Sequence, residues 1–270
     1  MKYKLFASDF DSTLADETLV ISQENKDAVK KAIDSGVKFV LCSGRSHHSL
    51  KQFEEELDLL GEENYGIAHN GAVVYKSKSR EIIYNKKLEN KIAIKIIAEI
   101  KNYGLDPLAY VDTITYIDNN DGYIAAYGLK AKPIFQEIVN LLELKEDITK
   151  ILIVNDRKKL DEFYAFMCEK FPQRDFNMFF TAENLLEFTN LETSKGNALE
   201  FLADYLNIDI EETIATGDNY NDIPLIKSAG LGIAVRNAVN ELLAEADYIT
   251  ENTCGNSAVA EVINKFILND

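Results

Sequence analysis

The sequence predicts an α/β protein with a doubly wound parallel sheet and an inserted α+β module. Apolar strand-like runs alternate with amphipathic helix-like segments near both ends of the chain. The middle loses this alternation, and its short strand-like runs are typical of antiparallel pairing. A length of 270 residues accommodates one large domain or two modest ones. We assign residues 1–85 and 189–270 to the core and residues 86–188 to the insertion.

The first part of the core contains two strand signals and two helix signals in alternation. Each helix signal places apolar side chains on one face and stops before a glycine, and the first has Ser22 as its N-cap. The predicted elements are a strand at Lys4–Ser8, a helix at Ser22–Ser35, a strand at Val37–Leu41 and a helix at Ser46–Leu60.

The insertion and the second part of the core follow the same rules of periodicity. In the insertion we predict helices at Leu88–Tyr103, Pro133–Leu142 and Lys158–Phe171, with strands at Leu108–Val111, Thr115–Ile117, Tyr123–Tyr127, Ile151–Val154, Phe176–Phe180 and Leu185–Phe188. The late core elements are a helix at Asn197–Leu206, a strand at Thr213–Thr216, a helix at Ile223–Ser228, strands at Leu231–Val235 and Asp247–Thr250, and a helix at Ser257–Leu268.

Composition narrows the possible partners and compartments. Lys and Arg total 29 against 45 Asp and Glu, a net charge of −16, so we expect no nucleic-acid partner. No apolar run has the length of a membrane helix or a signal peptide, and nothing indicates an obligatory protein partner. Cys42, Cys168 and Cys254 are widely spaced, which favours a reducing compartment over disulfides or zinc. We therefore expect a cytoplasmic protein.

Polar side chains cluster just after the predicted core strands. In an open parallel sheet, ligands bind beyond the carboxyl ends of the strands, so these residues are the candidates for function. Taken singly, each has a simpler explanation as a turn former or a helix cap. The clusters are Asp9, Asp11, Ser12 and Thr13; Ser43, Gly44 and Arg45; Gly217, Asp218, Asn219, Asn221 and Asp222; and Lys195 with Gly196 ahead of a late helix.

Together, the clusters point to phosphoryl chemistry with a metal ion. Carboxylates gathered at one sheet edge would repel one another unless a cation joined them. Oxygen ligands without nearby His or Cys favour Mg²⁺ over zinc, and Mg²⁺ beside a lysine and a serine suits phosphoryl transfer. The phosphate-binding loop of classical kinases and the glycine fingerprint of dehydrogenases are both absent from the sequence.

Four motifs in this order resemble those of haloacid-dehalogenase-superfamily phosphatases, in particular the Cof-type branch. They are DFDST at 9–13, SGR at 43–45, Lys195 in SKG, and GDNYND at 217–222. The resemblance continues at Asn70–Gly71–Ala72 and at Arg236–Asn237–Ala238. It implies a Rossmann-like core with an inserted α+β cap that selects the substrate.

The resemblance also implies a role for each motif residue. Asp9 would be the nucleophile that forms an aspartyl-phosphate, and Asp11 the general acid and base. Lys195 would neutralise charge on Asp9 and on the phosphoryl group. Phosphate-binding residues would be Ser43, Gly44, Lys195 and Asn221, and Mg²⁺ would be held by Asp9, the Asp11 backbone carbonyl and Asp218, with Asp222 orienting its waters.

The predicted function is a Mg²⁺-dependent phosphatase of small phosphorylated metabolites, such as sugar phosphates or phosphorylated cofactors. A phosphomutase or phosphotransferase using the same intermediate is an alternative, as is a non-catalytic metal-binding regulatory module. One departure from the family pattern is Ser12, where glycine is usual. A positive φ there would cost serine about 1 kcal/mol.

Overall fold

The computed structural model describes residues 2–112, 114–119, 122–131, 134–138 and 140–268. The chain divides into two compact units: unit 1 is Met1–Tyr84 with Ser194–Asp270, and unit 2 is Asn85–Thr193. The second boundary therefore lies after Thr193, whereas the sequence predicts it after residue 188. The reason is that Leu185–Asn190 forms a strand of the unit 2 sheet.

The helices and strands follow one another through both units. The first are β1 (Leu5–Asp9), α1 (Gln23–Asp34), β2 (Lys38–Cys42), α2 (His47–Glu56), β3 (Tyr65–Ala68), β4 (Val73–Lys76) and β5 (Ile82–Asn85). Next come α3 (Asn90–Asn102), β6 (Pro107–Val111), β7 (Ile114–Ile117), α4 (Gly122–Ala131), β8 (Ile134–Glu137), β9 (Lys150–Val154), α5 (Arg157–Lys170), β10 (Phe176–Ala182) and β11 (Leu185–Asn190). The chain then forms α6 (Lys195–Tyr205), β12 (Thr213–Gly217), α7 (Ile223–Ser228), β13 (Leu231–Ala234), α8 (Asn240–Leu243), β14 (Tyr248–Ile249) and α9 (Ala258–Ile263).

Unit 1 is built on a sheet with the strand order β14-β13-β12-β1-β2-β3-β4-β5. The strands from β14 to β3 pair in parallel, and β4 pairs with β3 in the antiparallel sense. Chain order reverses direction across the sheet at β1, which has β2 on one side and β12 on the other. This is the doubly wound arrangement that the sequence predicts, and the fold class is confirmed.

Both faces of the unit 1 sheet are covered, as a parallel sheet requires. Along β1, Phe6 packs in one core with Val29 of α1, whereas Leu5 and Ala7 pack in the other core with Leu199 of α6. Successive strand residues point to opposite faces, so one apolar run serves two cores. The burial of β1 on both faces explains why its sequence is almost continuously apolar.

Unit 2 contains a mixed sheet with the order β10-β11-β9-β6-β7-β8. Its pairs are antiparallel apart from β7 with β8, which run in parallel. Ile151 of β9 packs in one core with Ile96 of α3 and Phe163 of α5. Leu152, the next residue of β9, packs in the other core with Ile124 of α4. Unit 2 is therefore also layered on both faces.

Two predicted elements of the insertion are wrong. Tyr123–Tyr127 lies within helix α4 rather than in a strand, because Ile124 and Tyr127 share one helical face that packs on the sheet. Within the predicted helix Pro133–Leu142, Ile134–Glu137 is strand β8 and pairs with β7, while Pro133 and Val139 lie outside the described residues. Both segments are short, and tertiary packing outweighs weak local preference in such cases.

No helix within the described ranges is both long enough and apolar enough to span a bilayer.

Candidate active site

The candidate residues lie where the parallel strands of unit 1 end. β1 ends at Asp9, which is aligned with Cys42 at the end of β2, and Ser43 follows directly. On the other side of β1, strand β12 ends at Gly217, and Asp218 comes next. Adjacent parallel strands thus bring three separate stretches of sequence to one edge of the sheet.

Lys195 links two of the carboxylates at this edge. Its side chain is fully buried at the start of α6, and its Nζ lies 2.5 Å from Asp9 Oδ1 and 2.5 Å from Asp222 Oδ1. Gly196 allows this approach, because a Cβ there would lie 2.4 Å from the carbonyl oxygen of Pro224. The glycine after the lysine therefore lets α6 pack tightly enough against α7 to hold the ammonium group in place.

Asp222 organises the loop that follows β12. Its Oδ1 accepts a hydrogen bond from Lys195, and its Oδ2 accepts from the backbone N–H groups of Asp218 and Asn219, each at 3.1 Å. A Cβ on Gly217 would lie 2.4 Å from the Asp222 Cβ, so the loop closes tightly around this side chain. Because both of its oxygens already accept hydrogen bonds, Asp222 is suited to holding the residues that form a ligand site in place.

The electrostatics of the cluster are dominated by burial. Burial, reinforced by the charge of Asp222, raises the pKa of Asp9 well above its ordinary value. The same causes raise the pKa of Asp218 to about 7. Burial alone would lower the pKa of Lys195, but the charges of Asp222 and Asp9 outweigh it and hold that pKa well above the usual range. Lys195 is therefore favoured in its charged form.

The donor set fits a divalent metal ion with a preference for oxygen. Oxygen atoms of Asp9, Asp218 and Asp222 all lie within 4.8 Å of one another. Three carboxylates and the one ammonium of Lys195 leave two excess negative charges when all are ionised, which a divalent cation neutralises. Carboxylate oxygens are the ligands of Mg²⁺ and Ca²⁺ rather than of soft metals. Asp9 and Asp218 are placed to ligate such an ion directly.

Asp11 is held by an arginine rather than by the lysine. Arg45 donates from Nε to Asp11 Oδ2 at 2.9 Å and from Nη2 to Oδ1 at 2.6 Å, which is a two-pronged contact. The guanidinium also lies over the rings of Phe10 and Phe53, with its Cζ 5.7 and 5.9 Å from their centroids. Ser43 Oγ is 3.5 Å from Asp11 Oδ2. The sequence showed Arg45 in the SGR motif but could not identify its partner.

The loop after β1 bends through Ser12. Its φ is +60°, the left-handed region in which glycine is favoured. Asn237 Nδ2 donates to the Ser12 carbonyl at 2.9 Å, and Thr13 Oγ1 donates to Asp218 Oδ1 at 3.2 Å. One bond from the loop after β13 and one to the loop after β12 thus hold the backbone in the conformation that serine alone disfavours.

The residues predicted to bind phosphate share a neighbour with no predicted role. Ser43 is fully buried, and its Oγ accepts from the backbone N–H of Arg45 at 3.2 Å. A Cβ on Gly44 would lie 2.9 Å from Asn70 Oδ1, and that same oxygen accepts a hydrogen bond from Asn221 Nδ2 at 3.0 Å. Asn70 therefore connects the loop after β2 to the loop after β12.

Comparison with known proteins gives consistent matches along the whole chain. Residues 6–263 match the model of the family described as haloacid dehalogenase-like hydrolase. Phosphatase YwpJ of Bacillus subtilis is 28% identical over 92% of this chain and 94% of its own. The 5-amino-6-(5-phospho-D-ribitylamino)uracil phosphatase YwtE of B. subtilis is 27% identical over 98% of both chains.

Solved structures agree with the sequence matches. A haloacid dehalogenase-like hydrolase from Bacteroides thetaiotaomicron is 29% identical and superposes with a TM-score of 0.88, covering 98% of this chain and 100% of that one.

Proposed function

The chain belongs to the haloacid dehalogenase-like hydrolases, and we propose that it is a Mg²⁺-dependent phosphatase of small phosphate monoesters. The observation that carries this proposal is the buried ammonium of Lys195, held at 2.5 Å from both Asp9 and Asp222 at the edge of the parallel sheet. A nucleophilic carboxylate must approach an anionic phosphoryl group, and a fixed cation beside it lowers the repulsion between them.

The proposed reaction has two steps through Asp9. In the first, an Asp9 oxygen bonds to phosphorus while the bond from phosphorus to the ester oxygen breaks, and Asp11 gives its proton to the departing alkoxide. In the second, water attacks phosphorus, Asp11 takes its proton, and the bond between Asp9 and phosphorus breaks to release phosphate. The two-pronged contact with Arg45 would hold Asp11 as the carboxylate that takes the proton of water in the second step.

The remaining residues bind and orient the phosphoryl group. Ser43, Gly44 and Asn221 supply hydrogen-bond donors, and Lys195 neutralises charge on the phosphoryl oxygens. Bound Mg²⁺, held by Asp9, Asp218 and the Asp11 carbonyl with Asp222 behind them, would supply further charge neutralisation.

Sugar phosphates and other phosphorylated small metabolites are the proposed substrates. Support comes from the relative YwtE, which is named for a substrate whose phosphate sits on a ribityl chain. We assign selection of the alcohol part to unit 2, because every residue placed in the chemistry belongs to unit 1. Tyr123 is a candidate contact, since 37% of it is exposed and its hydroxyl donates to Asp156 Oδ2 at 2.5 Å.

The test is phosphate release from a panel of phosphate esters, measured with Mg²⁺ and after exhaustive chelation. The wild type should release free phosphate only with the metal, and Asp9→Asn should lose several orders of magnitude in turnover. Asp27→Asn, an exposed change on α1, is the matched control and should keep full activity. An isomerised phosphosugar without free phosphate would instead identify a mutase, and metal binding without any turnover would favour the regulatory module.

Unit 2 is tested separately by comparing substrates. Tyr123→Phe should change the order of preference among esters while leaving hydrolysis of a small generic ester near the wild-type rate. A single common factor on all esters would refute the assignment of selectivity to this residue.

A further inference from the structure

Three consecutive residues after β3 adopt left-handed backbone conformations. The φ angles are +52° for His69, +57° for Asn70 and +92° for Gly71. Outside glycine, such a conformation is strained, and strained segments of this kind cluster at functional sites. This turn, His69–Gly71, is also almost completely buried, with His69 0% and Asn70 2% exposed. Contacts with the surrounding residues must therefore offset the strain of this buried turn.

The turn is bonded to the loop that carries the SGR motif. The backbone N–H of His69 donates to the carbonyl of Arg45 at 2.9 Å, and that of Asn70 donates to the carbonyl of Ser43 at 3.0 Å. These bonds fix the backbone on both sides of Gly44. The left-handed course of the turn is what directs two successive N–H groups at this loop.

The same turn contacts the start of α6. A Cβ on Gly71 would lie 2.0 Å from the carbonyl oxygen of Ser194 and 2.8 Å from the backbone nitrogen of Lys195. A side chain there would displace the residue that carries the buried ammonium. Gly71 therefore meets two requirements at once, a positive φ and direct contact with the α6 N-terminus.

The third contact runs through the side chain of Asn70. Its Oδ1 accepts from Asn221 Nδ2 at 3.0 Å and lies against the backbone of Gly44. The bond uses one of the two N–H groups of the Asn221 amide and thereby fixes the direction of the other. One turn of three residues thus touches the loops of the second, third and fourth motifs.

We propose that Asn70 is a positioning residue whose carboxamide orients the Asn221 amide for phosphate binding, while its backbone N–H holds the Ser43–Arg45 loop. The inference rests on the proposed function, since it concerns the same phosphate site. A purely structural turn would require its backbone conformation but not a carboxamide that accepts from Asn221.

The experiment separates the side chain from the backbone. Asn70→Gly keeps the left-handed conformation and removes only the carboxamide. Binding of inorganic phosphate to the Mg²⁺-loaded protein is measured by calorimetry, and kcat and KM are measured on p-nitrophenyl phosphate. Phosphate binding should weaken about tenfold, as expected for loss of one oriented charge-assisted hydrogen bond, with an unchanged melting temperature. Asn207→Gly, at another left-handed position (φ +53°) beyond the far end of α6, is the matched control and should change neither quantity.

The double variant decides whether Asn70 acts through Asn221. In an Asn221→Ala background, Asn70→Gly should weaken phosphate binding by no more than about twofold, because the amide that it orients is gone. The same tenfold loss in both backgrounds, or no loss in either, would overturn the proposal, as would a wild type that binds no phosphate. If the wild type binds phosphate normally but shows no turnover, the proposed function is contradicted. The role of Asn70 can still be decided in that case, because the phosphate affinities of the variants do not depend on turnover.

Discussion

Replacing Lys195 by methionine is the sharpest test of the site. The substitution preserves the length of a fully buried side chain and removes the cation that bonds Asp9 and Asp222 at 2.5 Å each. With Asp218 close by, three carboxylates are left facing one another without that positive charge.

The magnitude follows from the burial of the cluster. Removing one partner of a buried ion pair costs roughly 3–5 kcal/mol, because the remaining charge is desolvated and unpaired. Because its pKa is raised, Asp9 can take up a proton instead of remaining as an unpaired charge. We therefore expect Lys195→Met to lower the free energy of unfolding of the metal-free protein by about 3 kcal/mol at pH 7. Turnover should fall by about 10²–10³, since a fixed charge aimed at the transition state contributes roughly 3–4 kcal/mol.

Urea unfolding of the metal-free protein, followed by circular dichroism, measures the first effect, and phosphate release measures the second. Lys227→Met is the matched control, because Lys227 is 55% exposed and pairs with Glu245 at the surface. That change should cost no more than about 1 kcal/mol.

A double-mutant cycle with Asp222→Asn tests the mechanism directly. In the Asp222→Asn background, one negative charge is already gone. Lys195→Met should then lower the free energy of unfolding by about 1–3 kcal/mol less than it does in the wild type. The reasoning is refuted if the two changes are additive, or if Lys195→Met keeps more than a tenth of wild-type turnover and loses under 1 kcal/mol of stability.

Three further predictions concern neighbouring residues. Burial and negative neighbours raise the folded-state pKa of Asp218 from 3.8 to about 7. The metal-free protein should therefore lose stability as the pH rises from about 4 through 7, and Mg²⁺ should restore that stability most above pH 7. In thermal melts at pH 5.5 and 8, Asp218→Asn should flatten this pH dependence. A metal-free melting temperature that rises over this interval would contradict it. Ser12→Gly should raise the free energy of unfolding by about 0.5–1 kcal/mol through relief of its positive φ, whereas Ser12→Val should lower it; equal effects of the two would count against strain. Arg45→Gln should lower kcat about tenfold or more with little change in KM, because the Asp11 carboxyl loses its two-pronged hydrogen bonding. Arg45→Lys should recover part of the loss. A change confined to KM would show that Arg45 binds substrate instead.

Much of unit 1 could be predicted from local chemistry. Its strands are continuous apolar runs because both faces of the sheet are covered, and the polar residues that follow them mark where each strand ends. Serine before a helix and glycine after it are equally local signals; Ser22 accepts from Asn25 N–H at 3.1 Å at the start of α1. The fold class and the placing of Asp9 and Asp218 where strands end both follow from these signals.

Segments that depend on partners distant in sequence could not be predicted in this way. Gln136 belongs to a strand because it pairs with Tyr116, and Tyr127 belongs to a helix because a sheet face lies beneath it. Short runs carry helix and strand preferences of similar size, so the neighbour decides.

The division is the same at the candidate site. Residue types and their positions already show which groups are available: carboxylates, one lysine, an arginine and an asparagine, at the ends of predicted strands. The folded chain is needed to see that Arg45 binds Asp11 and that Asn70 accepts from Asn221, 151 residues further along the chain. The physical reason is that a residue's type limits which bonds it can make, whereas its partner depends on the packing of the elements that bring the two groups together.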